Sequence, residues 1–221
     1  MTPITPNLAQ DLVRIHRVIT RALYIDLLNG REYLQSGFPS PQVLLGYSSY
    51  TNCLVSVLAS HHQGEDLYAF PAFRKVLLFA PYDQLAADHH DIEMLLALIP
   101  PAITELSSGE AHNGLEVIVD TLRKISEIWI NHKKLEEYHF SKEALSGVID
   151  LEEQQRIGDA ASKYSQEHTG PPYWVVPFIL YNLEPDDRKI MAANFPPMII
   201  DDLVPNVWKD QWAPMKPFLL E

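Results

Sequence analysis

One cysteine, Cys53, in 221 residues leaves the chain unable to close an internal disulfide, which fits a reducing compartment; the expected location is cytoplasmic. Positive charge is also scarce, with 17 Lys and Arg against 29 Asp and Glu and a net charge of -12. A nucleic-acid backbone or an anionic membrane surface needs concentrated positive charge, so neither is an expected partner. Small molecules or proteins are, and the oligomeric state is left open. The start, MTPITPNLAQ, lacks a basic segment followed by an apolar stretch and does not read as a secretion signal. The longest apolar run, MLLALIPPAI, is too short for a membrane span and is interrupted by Pro100 and Pro101. Strand-like alternation is missing before residue 150, as are solenoid-period repeats and low-complexity tracts.

What is present describes a folded helical protein. Hydrophobic residues at 47% and charged residues at 21% are ordinary globular values, and the length suits one sizeable core. Leu8, Leu12, Ile15, Ile19, Leu23 and Leu27 recur at spacings of three and four, predicting an amphipathic helix over about 7–35 with His16 beside the stripe. After GFPSPQ a second helix is expected over about 43–66, a third over about 82–106 with a bend at the proline pair, and a fourth over about 115–140 after the loop SSGEAHNG. The expected fold is all-α, an up-and-down four-helix bundle over 1–150. Residues 151–221 are expected to form a proline- and aromatic-rich helical extension packed on the bundle.

The nine histidines carry the chemistry. Chance places roughly one acidic residue four positions after a histidine, the offset that puts two helical side chains on one face. Six occur: Glu65 after His61, Asp66 after His62, Glu93 after His89, Glu116 after His112, Glu136 after His132 and Glu143 after His139. His112/Glu116 falls at a helix start, where an acid serves the helix dipole, and His139/Glu143 at a helix end, where a surface pair is the simpler reading. His168 sits in the turn QEHTGPP and is expected to face solvent. One pair on each of three successive helices remains, His61/Glu65, His89/Glu93 and His132/Glu136, with His16 on the first. A lone histidine on an apolar face is usually a hydrogen-bonded core residue. Four histidines and three carboxylates in one core would instead need compensating cations, because each buried ionisable group costs several kcal/mol. Imidazole and carboxylate donors suit iron or manganese, a structural zinc usually recruits cysteine, and the number of donors favours two metals.

The order of these motifs, RIHRVI around His16, HHQGEDLYAFPAF around His61 and Glu65, ADHHDI around His89 and INHKKLEE around His132 and Glu136, resembles the hemerythrin-like (HHE cation-binding) domain over about residues 8–145. The proline-rich ending is similar to that of fungal members. The resemblance implies a non-haem centre of two iron ions, bridged by the carboxylates at Glu65 and Glu136, completed by histidines and able to bind O2. Glu93 stands where oxygen-carrying members have a histidine; as a ligand it would enrich the site in carboxylate and favour oxygen activation over carriage. His62 is either a further ligand or a residue supporting one. His90 remains an alternative to His89, and Glu137, five residues after His132, would need a local distortion to coordinate.

The expected function is a di-iron protein that binds O2, leaning towards O2-dependent oxidation of a small organic molecule, with Trp174, Phe178, Trp208 and Trp212 as candidate walls of a substrate pocket. The alternative is a non-catalytic oxygen- or iron-binding or sensing protein. A metal-free helical interaction domain would require the ligand pattern to be coincidence.

Overall fold

The computed structural model describes residues 8–108 and 111–220. Asn7, where the first helix is expected to start, Gly109 and Glu110 of the SSGEAHNG loop, and Glu221 lie outside them. Every regular element among the described residues is helical. Four long stretches form the bundle: α1 (Leu8–Ser36), α2 (Pro41–Gly64), α4 (Tyr82–Leu96) with its continuation α5 (Ile99–Leu106), and α6 (Ala111–His139). Short α3 (Phe70–Phe73) follows α2. α1 and α5 both lie along α6, and α2 packs on α1.

Two starts and one break follow directly from side-chain chemistry. Ser40 caps α2 by accepting from Val43 N–H, and Pro41 opens the helix where a missing N–H costs nothing. The third expected helix is two: the break falls at Ala97 and Leu98, and Pro100 and Pro101 sit in the first turn of α5 rather than at a bend inside one rod.

α2 does not stop at Gly64. It widens into a π-helical segment, Glu65–Ala69, in which Phe70 N–H bonds to the Glu65 carbonyl five residues back. Pro71 then has no N–H to offer Leu67, so the ordinary ladder cannot be resumed without an offset. The stretch Pro41–Phe73 is long and apolar enough to cross a membrane, but most of its apolar window is buried inside the protein. Its greasiness reflects a central position in the core, where Tyr47, Tyr50, Leu54 and Leu58 are fully covered.

Beyond α7 (Lys142–Leu145), α8 (Leu151–His168) lies against α2 and the π-helical segment. The approach is close at Gly64, where an added Cβ would meet Ala161 Cβ at 3.5 Å, an ordinary contact that does not require the glycine. The remaining chain, α9 (Pro172–Tyr181), α10 (Pro185–Ala192), a second π-helical segment (Ile199–Val207), α11 (Lys209–Trp212) and a 3-10 turn (Ala213–Phe218), ends packed on the first half of α2. Gly46 is required there, because a Cβ would overlap the Pro214 carbonyl.

Candidate metal centre

One turn near the end of α2 supplies three of the site's side chains, and the π-helical widening explains how. His61 and His62 project about 100° apart. α2 is central enough for both directions to point inward, so the His61 ring meets His16 of α1 at 5.1 Å and the His62 ring stacks on His89 of α4 at 4.0 Å. In the widened turn that follows, Glu65 turns into the core while its neighbour Asp66 reaches His89 Nδ1 at 3.0 Å. From α6, His132 and Glu136 stand one turn apart on the same buried face, each fully covered.

The separations describe a cluster built around two carboxylates. His16 Nε2 lies 3.2 Å from Glu136 Oε2, and His132 Nε2 is at the same distance from that oxygen. His61 Nε2 and His89 Nε2 are each 3.5 Å from Glu65 Oε2, and His89 Nε2 is 3.8 Å from Glu136 Oε1. Donor atoms from His16, His61, Glu65 and Glu136 all lie within 4.8 Å of one another, as do those of a second group, Glu65, His89, His132 and Glu136. Glu65 and Glu136 belong to both.

The rings are oriented from behind. His16 Nδ1 donates to Glu137 Oε1 at 3.0 Å and His89 Nδ1 to Asp66 Oδ1 at 3.0 Å, which turns Nε2 of each towards the centre. His132 Nδ1 stands 3.4 Å from Asp88 Oδ2. Trp129 covers the cluster's inner side, its ring 5.2 Å from His16 and 5.8 Å from His132, and is tied by Nε1–H to Thr20.

Electrostatics set the groups apart. Burial, then the proximity of His16, holds His61 well below the ordinary imidazole range; burial and His89 do the same to His62. For His16 and His89 burial also pushes down, but the carboxylates they touch outweigh it and the net shift is upward. Burial and the neighbouring Glu136 raise Glu65 well above the usual carboxylate range. Burial would raise Glu136 too, yet contacts from His132, His16 and His89 hold it well below. Glu65 is thus driven towards its neutral form while the imidazoles keep Glu136 ionised.

A cation fits this set, and the sign is in the unsatisfied atoms. Nε2 of His16, His61 and His62, Oε2 of Glu65 and both carboxylate oxygens of Glu136 are buried without a hydrogen-bond partner. Buried polar atoms are normally satisfied, and a concentration of orphans on converging side chains is what a metal site presents before its ion is counted. Cys53 is not part of it: its thiol lies in the core, pushed up by burial to about 12.

Of the seven residues expected from the sequence, His16, His61, Glu65, His89, His132 and Glu136 converge. Glu93 does not. It is exposed at the edge of a cavity of about 230 Å³ also lined by His62, Asp66, His89 and His90, because α4 turns His89 inward and carries the i+4 position to its solvent side. The carboxylate-rich centre expected from Glu93 therefore loses its structural basis. His90 is exposed as well. His62, left open by the sequence, is buried, and Glu137 holds His16 rather than reaching the centre. Asp66, which the i,i+4 pattern couples to His62, serves His89 instead; only the π-helical widening, invisible as periodicity, redirects it. Two outlying histidines behave as surface residues, His112 and Glu116 being exposed partners at 3.4 Å and exposed His168 stacking on Tyr164, whereas His139, expected to pair with Glu143, is half-buried with its ring 5.0 Å from that of Tyr138. The tail aromatics do not wall the cavity beside the cluster. Phe178 packs on Tyr50 and Trp212 on Tyr181, where the proline-rich tail finds the Gly46 gap.

A helical bundle with a buried histidine and carboxylate cluster belongs to the metal-binding all-α proteins. Residues 7–144 match the family model described as hemerythrin HHE cation binding domain, and the chain belongs to that family. No curated protein and no solved structure matches the chain.

Proposed function

We propose that the chain is a non-haem di-iron protein that binds O2 at this centre and uses it to oxidise a small organic molecule. The observation that carries the reading is the membership of Glu65 and Glu136 in both four-residue groups, since shared carboxylates let two adjacent cations be held by so few side chains. Imidazole with carboxylate suits iron better than a structural zinc, for which the buried thiol of Cys53 is too far from the set to serve. When bound, iron supplies the electrons that O2 chemistry requires.

The chain's own contribution is orientation, dryness and access. Glu137 and Asp66 fix the tautomers of His16 and His89, so each ring presents a lone pair at Nε2. Trp129 and the apolar core beneath it keep water from the inner side. The 230 Å³ cavity reaches His62 and His89 from the surface between α2 and α4 and has room for a small organic molecule. The near-complete burial of His16, Glu65, His132 and Glu136 favours a second reading, non-catalytic oxygen or iron binding or sensing, because these side chains offer almost no surface for a substrate to touch.

Loading Fe(II) without air and then admitting O2 separates the two. Oxygen consumption that rises with an added small organic substrate is the expected result. A reversible oxygenated spectrum, or a single irreversible conversion to ferric protein with no substrate dependence, would instead establish the second reading.

A further inference from the structure

We infer that His62 is a direct ligand of the second cation, filling by imidazole the place that the sequence pattern offers to Glu93; the inference rests on the two-cation reading above. His62 is 3% exposed and its Nε2 has no partner. Its ring stacks on His89, 14° from parallel, and its centroid is 5.2 Å from that of His132. Donor atoms of His62, His89 and His132 lie within 4.8 Å of one another, the third such group in the molecule's described residues. Asp66, the acid four positions after His62, is engaged with His89, so no carboxylate turns the His62 ring away from the cluster.

The donor sets then differ between the two positions. The first has His16 and His61, the second His62, His89 and His132, and Glu65 and Glu136 serve both. An imidazole in place of a carboxylate leaves the centre one negative charge poorer and its second position richer in nitrogen, a softer donor set that favours the ferrous state. Because His62 also lines the cavity, the second position is the one a molecule in the cavity meets first.

The test uses the full chain and Co(II), titrated without air and followed by d–d absorption, with metal analysis after gel filtration. The wild type takes up two cations. His62→Gln keeps the first step and loses more affinity in the second than the roughly 10–100-fold that removing a residue behind a ligand costs, with changed bands. His62→Glu, which restores a donor, recovers the second step, and Glu93→Ala changes neither. Circular dichroism verifies the helices of each variant. Independently of any substitution, the zinc-loaded wild type labelled with 15N-histidine shows five of its nine histidines with a metal-shifted ring nitrogen. Four shifted imidazoles, wild-type behaviour in His62→Gln, or loss of the second step in Glu93→Ala overturns the assignment of His62 while leaving the two-cation reading intact. Uptake of fewer than two cations by the wild type overturns both.

Discussion

Near the first half of α2, Tyr50 O–H and an Arg21 N–H both donate to Asn182 Oδ1, whose own amide donates to the Phe178 carbonyl, while Arg21 also holds the Phe218 carbonyl. Eleven residues further along the same helix, about 16 Å away at the usual rise, His61 begins a cluster in which Nε2 of His16, His61 and His62, Oε2 of Glu65 and both Glu136 oxygens have no hydrogen-bond partner, while His89 Nε2 meets only His132 Nε2 at 3.2 Å. The first region closes its hydrogen bonds within the chain and locks the tail in place. The second leaves them open at converging side chains. The contrast teaches that buried polarity alone does not mark a site; unsatisfied polarity does. Asp26 stands between the two cases, fully buried, with Thr51 donating to one carboxylate oxygen and the other unpartnered.

Substitutions can break this comparison from either side. The largest effect is expected from Glu136→Gln, which removes the charge shared by both groups: bound metal should fall to near zero in elemental analysis while thermal unfolding stays cooperative. Asn182→Ala should do the reverse, costing about 2–3 kcal/mol in urea unfolding, because it orphans the Tyr50 hydroxyl and one Arg21 bond, with metal content unchanged. Gly46→Ala, which collides with the Pro214 backbone, should cost about 1–3 kcal/mol and expose the tail to limited proteolysis, again without metal loss.

Asp26 sharpens the comparison through pH. Burial, partly offset by Tyr47 and Thr51, pushes its carboxyl up to about 7. The folded chain therefore binds that proton more tightly than the unfolded chain, so stability falls as pH rises from about 4 to about 7 and levels off above. Asp26→Asn should flatten that stretch of the stability profile measured by urea unfolding. A slope equal to that of the wild type would show that Asp26 is not buried as described.

The four long helices were legible because their stripes repeat over many turns, and the positions of His16, His61, His89 and His132 could be read from those stripes. Glu65 and Glu136 were legible for the same reason, as i+4 partners. Glu93 satisfied the same rule and failed, since a spacing says that two side chains share a face but not which of them the core covers. His62 was ambiguous because it projects about 100° from His61 and only the central position of α2 turns both inward; the partner of Asp66 was missed because its direction depends on the π-helical turn after Gly64, which has no sequence period of its own. The tail was legible as something needing burial, but its docking place depends on the missing Cβ of Gly46 and on Asn182, single residues without a pattern around them.

The shared role of Glu65 and Glu136 is tested most directly by counting metal in the wild-type chain after anaerobic Fe(II) loading and removal of unbound iron. Two irons per chain are predicted. One per chain, or none, would contradict it.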